Sequence, residues 1–402
     1  MRNNGLNNLK ITKENIVSSI IPSVIDEKSF EAVQEDIEYA SVFMFIEHDR
    51  RRNIIFKNSK YLSFGKYYWP MIIIQVDPKN YIFIDNLNFF SLQFKNCEFK
   101  KPENVIEVKS TNYTEYKIIK DNIKKIKSIL NDIYFYPKKI EGIIEPEIIK
   151  GISPLIKLSS PDYSTLGMNF QTDKNQFQAT EIAKEYSNSL TYLNRILIDL
   201  KETIEIVQKS KDEVNNLMNR FEKIIKSSYQ SDSSNISFNL KDLAETKKQI
   251  LKINEHLTTL YSNIKTERDH LNRWAISGSN LNLILPIIRI WYPLYIAEIK
   301  DTSGVNRWIV APPLILQSKT EYEIPIDVFN PSFLTSLKER VENNFKYFKK
   351  FIPKSSTINF FGNKDVNYAI SEGFNKLLSN YHVDTKILNY VQNTWIKNLE
   401  IE

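Results

Sequence analysis

Glycine is scarce in this chain, with nine among 402 residues. A phosphate-binding loop needs glycines to let backbone N–H groups approach the ligand. No Gly-rich phosphate loop, Walker pattern, GxSxG elbow or HExxH pair occurs, so a nucleotide-driven coiled-coil ATPase is not expected. Cysteine is rarer still. The single Cys97 excludes an internal disulfide and any Cys-rich zinc site, and suits a reducing cytosol. Long apolar runs are also missing. The most apolar segment, 281–299, is interrupted by Arg289, Glu298 and two prolines, and reads as buried strand rather than a membrane span. The first fifteen residues lack the apolar core of a secretory signal. These absences together predict a soluble, cytoplasmic protein without cofactor or metal.

What is present describes a folded chain. Hydrophobic residues make up 42% and charged residues 25%, which is ordinary for a globular protein with a sizeable core. The net charge of +6 permits contact with nucleic acid or an anionic surface without requiring it.

Two short stretches echo each other. Aligning Pro70 with Pro293 places two aromatics before each proline, in Tyr68-Trp69-Pro70 and Trp291-Tyr292-Pro293. A strand-like aliphatic run follows each, and then a second aromatic-led strand, Tyr81–Ile84 in one and Trp308–Ala311 in the other. The pattern suggests one small β unit built twice.

The chain divides on this basis. Residues 1–39 read as a helical or loosely ordered arm, and 40–135 as a first β-rich unit with a basic helix near 114–130. Within that unit, the runs ASVFMFIE (40–47) and NIIFK (53–57) read as strands. The prolines and glycines of 136–172 mark a connector. A second β-rich unit spans 277–325, and 326–402 reads as helical. Both Pro70 and Pro293 are expected at strand starts or edges, because neither can donate to a ladder.

Between them, 173–276 carries the clearest periodicity. Tyr186, Leu190, Leu193, Leu197, Leu200, Ile204, Val207, Lys211, Val214, Met218, Phe221 and Ile225 alternate gaps of four and three, a heptad seam interrupted by Lys211. After a Ser-rich loop at 227–237, Leu243, Ile250, Leu257, Ile264 and Leu271 recur every seventh residue. Two long helices joined by a polar loop predict an antiparallel coiled-coil hairpin, which would return the chain to its start and bring the two β units together. The predicted fold is therefore α+β: a composite antiparallel β head from two sequence-distant halves, an inserted coiled-coil hairpin and a helical C-terminal part.

Chemistry-bearing clusters are few. Glu47-His48-Asp49 could ligate a metal or hold a general base, but it leads into Arg50-Arg51-Arg52 and reads first as a charged hairpin turn. His256 and His270 lie roughly 21 Å apart along a helix, too far to share one ion. Arg50, Arg51 and Arg52, with Lys346, Lys349 and Lys350 beside Tyr347 and Phe348, form candidate nucleic-acid contacts, since cations hold phosphates while aromatics stack. Lysine-rich solvent faces are the plainer account of the same residues. Trp69, Trp291 and Tyr292 could line a groove for a peptide or another chain, or fill the core. Function is expected to follow from shape: a non-enzymatic scaffold or adaptor, self-associating or protein-binding through seam residues Leu190, Leu193, Leu197, Leu200, Ile204, Val207, Ile250, Leu257 and Ile264. Apolar residues flanking the seam, Ile196, Ile198 and Ile206, would be left uncovered by two helices. A nucleic-acid-binding accessory protein and an enzyme of unidentified class are the alternatives.

Overall fold

The computed structural model describes residues 17–103, 105, 113–161, 176–227, 233–280, 287–317, 324–329, 331, 335, 359–381 and 383–399. The chain is mixed α+β with several sheets. It forms two compact units, one of Met1–Leu92, Glu141–Lys184 and Trp274–Glu402, the other of Gln93–Ile140 and Glu185–Arg273.

The first unit is organised by two long strands, β3 (Lys60–Gln75) and β9 (Ile287–Lys300), which pair antiparallel. Strand β4 (Asn80–Asp85) pairs with the second half of β3, and β10 (Asn306–Ala311) with the second half of β9. The echo in the sequence thus becomes a contact. Aligning Pro70 with Pro293 makes Trp69 the counterpart of Tyr292, and these two residues are cross-strand partners, so a local two-fold relation runs through that pair. The sheet is mixed rather than wholly antiparallel, because β1 (Val17–Ile20) enters parallel to the first half of β9. Short strands β7 (Ser160–Pro161) and β8 (Ile276–Ser277) complete it.

Neither proline starts its strand. Pro293 falls between Trp291, where pairing with β1 ends, and Tyr295, where pairing with β10 begins; Pro70 directly precedes Met71, where the β4 ladder begins. Each lies just outside the outer ladder of its strand, where a missing N–H interrupts no ladder bond.

Both faces of the sheet are covered, which explains why its strands read as near-continuous apolar runs. On one face Trp69, Met71, Ile73, Ile290 and Tyr292 pack with Ile148, Ile149, Ile152 and Leu155 of α3 (Pro146–Lys157). On the other, Phe64, Tyr295 and Ala297 pack with Phe43 of α1 (Glu35–Arg52), Phe374 of α6 (Lys364–Tyr381) and Trp395 of α7 (Thr385–Leu399). Tyr61 joins Phe64 on that face although the two are three positions apart, because the register slips between Tyr61 and Ser63. A three-stranded sheet of β2 (Val24–Asp26), β11 (Leu314–Leu316) and β12 (Ile326–Val328) adds to this second core. Each fully buried large side chain contributes about 1.5–3 kcal/mol of transfer free energy.

Several expectations are corrected here. The run 40–47 is not a strand but the middle of α1, and 53–57 is a turn. The described part of the N-terminal arm contains strands β1 and β2, and is helical only from Glu35, where α1 begins.

The second unit contains β5 (Ser91–Cys97) paired with β6 (Phe135–Glu141), helix α2 (Tyr113–Asn131), most of the 52-residue α4 (Gln176–Ser227) and the 41-residue α5 (Ser233–Arg273). Helix α2 buries Tyr116, Ile119, Ile123, Ile126 and Leu130. Its Tyr116 hydroxyl donates to Asp242 at 2.8 Å and its Lys120 ammonium lies 2.9 Å from the same carboxylate, fixing it on α5. The Tyr186 hydroxyl of α4 donates to the Leu271 carbonyl of α5 at 2.7 Å. Along α5 the stripe Leu243, Ile250, Leu257, Ile264 and Leu271 is buried as the periodicity requires.

On α4, Tyr186, Leu193, Leu200, Val207 and Val214 are buried, but the second buried row is Ser189, Ile196, Thr203, Ser210 and Leu217. Leu197 is buried as well, whereas Leu190, Ile204, Lys211 and Met218 are half-buried. The second buried row of α4 therefore lies one residue earlier than the apolar pattern indicates. Ser189, Thr203 and Ser210 can be buried because each hydroxyl donates to a carbonyl four residues back, at 2.8, 2.8 and 2.9 Å.

Candidate functional site

Of the predicted basic cluster, the described part is Arg50, Arg51 and Arg52. Arg50 is buried, in a bidentate pair with Glu47 at 2.7 Å for both bonds. Its Nη1 donates to the carbonyls of Phe56, Lys57 and Ser59 at 3.3, 2.9 and 3.1 Å. Arg51 lies over the Tyr390 ring, 3.4 Å from its centroid, and Arg52 is exposed. Lys346, Lys349 and Lys350 lie outside the described residues, as does His382.

Glu47-His48-Asp49 is part of α1, not a turn. The Tyr61 hydroxyl also donates to Glu47, at 2.8 Å. Burial works against the charge on Arg50, but the hydrogen bonds and charge of Glu47 outweigh it and raise the Arg50 pKa. Burial and the Glu47 charge together push the Tyr61 hydroxyl well above its ordinary value. A carboxylate so engaged is not placed to act as a general base. A second such cluster joins Lys66 to Glu38 at 2.5 Å, with the Tyr295 hydroxyl donating to the same carboxylate. Among the described residues, no three His, Cys, Asp or Glu side chains gather as metal ligands. Cys97 is buried, and burial pushes its thiol up to about 11, which suits a packing residue rather than a nucleophile.

Trp69, Trp291 and Tyr292 are all buried, the alternative the sequence left open. Trp69 stacks on Phe90 at 5.6 Å between centroids and donates its indole N–H to Asp85 at 2.6 Å. Asp85 also accepts from the Leu87 and Phe89 backbones, so this carboxylate organises the turn after β4.

A groove occurs elsewhere, in the second unit. It measures about 570 Å³ and is lined by Lys95, Phe135, Tyr136, Pro137, Asn263, Thr266 and Glu267. The ribbon β5–β6 supplies one wall and α5 the other. The Lys95 backbone N–H donates to Glu267 at 3.0 Å, and the Tyr136 hydroxyl accepts from Asn96 at 2.8 Å, so both walls are tied in place. Tyr134 and Phe135 remain 54% and 38% exposed, although aromatic side chains of this size usually find cover. The sequence carried a signal for this site: Tyr134-Phe135-Tyr136-Pro137 is a third aromatic–proline cluster, and the one whose aromatics stay at the surface. Its place in a proline-containing connector concealed it.

Of the residues expected to form a coiled-coil surface, Leu193, Leu197, Leu200, Val207, Ile250, Leu257 and Ile264 are buried within the single chain, and Leu190 and Ile204 half-buried. Ile196, expected to be uncovered, is buried and Ile206 half-buried, while Ile198 is 60% exposed. Of the helices among the described residues, none is long and apolar enough to cross a membrane. No protein-family model, curated protein or solved structure matches this chain.

Proposed function

We propose that this protein is a non-enzymatic adaptor, and that its second unit, read as an antiparallel coiled-coil hairpin of α4 and α5 buttressed by α2, holds a protein partner in the β5–β6 groove. The observation that carries the proposal is the groove itself: exposed Phe135 and Pro137 on one wall face Asn263, Thr266 and Glu267 on the other. Aromatic anchors in a concavity with a polar rim are the usual makings of a peptide-binding hot spot. Among the described residues, ribbon β5–β6 has two strands, so an extended segment can also take main-chain hydrogen bonds along its edge. The ionisable groups described above are consumed by structural pairs, which favours an adaptor over an enzyme. Burial of Arg50 removes the centre of the basic cluster and weakens the nucleic-acid reading. Burial of the heptad rows within one chain leaves self-association to outer residues such as Ile198 and Leu251, 60% and 45% exposed.

The test is capture by the full-length chain followed by cross-linking. Phe135→Asp and Asn263→Arg are expected to abolish capture of a partner that cross-links to Lys95, while Ile198→Ser leaves it intact. Capture that survives both groove substitutions would overturn the assignment.

A further inference from the structure

The turn between α1 and β3 presents two aliphatic side chains to solvent. Ile54 is 95% exposed and Ile55 is 56% exposed. The turn is built, not slack. Asn53 accepts from the Ile55 backbone at 3.0 Å through its side chain, and its carbonyl accepts from Phe56 and Lys57 at 3.0 and 2.9 Å. Phe56 packs against the core formed with α1, and Arg50 grips the carbonyls of Phe56, Lys57 and Ser59 from beneath. Adjacent isoleucines held outward by a buried guanidinium ask for an apolar environment that the described residues of the first unit do not supply.

The surroundings identify that environment. Arg52, Lys57 and Lys60 are exposed around the tip, and no acidic residue occurs between Arg50 and Val76. Lys60 stands directly opposite Lys300 across the β3–β9 ladder, and both are exposed. Like charges in that arrangement repel unless an anion lies over them. Leu62 and Val305, 43% and 47% exposed, extend the apolar ground at the same end of the sheet. The nearby acid Asp301 is 3% exposed and committed to Ser303, Val305 and Arg307.

We infer that this end of the first unit docks on an anionic lipid bilayer, with Ile54 and Ile55 entering the acyl boundary and Arg52, Lys57, Lys60 and Lys300 meeting lipid phosphates and carboxylates. An apolar tip inside a cationic collar matches the two attractions that hold interfacial proteins. Nucleic acid would meet the cations, but aliphatic tips give bases nothing to stack on. The inference is independent of the groove.

The test is co-sedimentation of the full-length protein with vesicles of phosphatidylcholine alone and of phosphatidylcholine mixed with phosphatidylserine. Binding is expected only with phosphatidylserine and should weaken with salt. Ile54→Ser/Ile55→Ser should reduce it at least about tenfold, and Lys57→Ala/Lys60→Ala by about fivefold per cation; both pairs of sites are exposed, so the melting temperature should not move. An Ile54→Cys variant labelled with an environment-sensitive dye should shift to the blue on the mixed vesicles, Cys97 being buried. Equal binding to both vesicles, or undiminished binding of the isoleucine variant, overturns the inference. A wild-type dimer that becomes monomeric in Ile54→Ser/Ile55→Ser, with no vesicle binding, would assign the tip to a second copy instead.

Discussion

Replacing Arg50 with methionine tests a buried polar anchor of the first unit. The Arg50–Glu47 pair is 7% and 0% exposed at its side chains, so neither partner is well solvated. Arg50→Met would leave the Glu47 carboxylate on the Tyr61 hydroxyl, and strip a donor from the carbonyls of Phe56, Lys57 and Ser59. Removing one partner of a buried ion pair costs about 3–5 kcal/mol. Glu47→Leu should cost a similar amount, because it leaves a buried guanidinium without its counter-charge. The double variant Glu47→Leu/Arg50→Met removes both charges together. What remains is the loss at the turn carbonyls, about 1–3 kcal/mol. The two single losses should therefore be strongly non-additive, which a double-mutant cycle by urea denaturation measures. Because the chain has two compact units, amide exchange over 53–59 should be followed alongside, to show the turn opening locally. Additive single losses, or an Arg50→Met loss below about 0.5 kcal/mol, would show that the pair is not the anchor described here.

Two further outcomes follow from the packing and the charges. Gly373 of α6 lies so close to α1 that an added Cβ would overlap the Asp36 carbonyl and crowd the Ala40 Cβ; Gly373→Ala should therefore destabilise by at least about 1–3 kcal/mol despite its better helix propensity, and an unchanged melting temperature would refute that contact. The Lys120 hydrogen bond, with help from Tyr116, holds the Asp242 pKa below its ordinary 3.8. Its folded pKa is depressed, so the stability it contributes is present above about 3.8 and lost as pH falls through the folded value. With the pair 39% and 36% exposed, solvent screening keeps this to about 0.5 kcal/mol or less. Acid unfolding of Asp242→Asn should show a correspondingly shallower decline below that pH, and an identical acid limb would refute the pairing of α2 with α5.

The paired strands were legible because burial on both faces makes them near-continuous apolar runs, and the periodic helices because each presents one face to a core. Helix α1 was not, for the opposite reason. Ile37, Ala40, Val42, Phe43, Met44 and Ile46 are buried around much of its circumference, and a helix buried on most sides loses the 3.6-residue alternation that distinguishes it from a strand. Another signal was available in its charges. Glu35, Asp36 and Glu38 occupy the first turn and Arg50, Arg51 and Arg52 the last, the order that the helix macrodipole favours. Read that way, the arginines complement a helix end before they suggest any ligand. The aromatic–proline clusters show a related limit. Nothing in their local spelling separates the two buried by sheet pairing from the one left at the surface. That difference depends on strands brought together from distant parts of the sequence.

The seam of α4 makes the same point about polarity. Reading apolar residues alone places Lys211 in the buried row, and a lysine there demands an explanation such as a partner-facing position. The row that is buried instead contains Ser210, whose hydroxyl is satisfied by the Ile206 carbonyl at 2.9 Å. Small hydroxyl residues on a helix can bond to their own backbone and so enter a packed interface without a partner, whereas a lysine ammonium carries three donors and a full charge that one carbonyl does not satisfy. Serine and threonine at heptad spacing are therefore compatible with burial in a way that the apolar count overlooks. Once Ser189, Thr203 and Ser210 are admitted to the seam, Lys211 falls at its half-buried margin, where its stem can pack and its charge reach water. It then carries no information about a partner, and the groove beside β6 rather than the helical seam is the surface we propose for one.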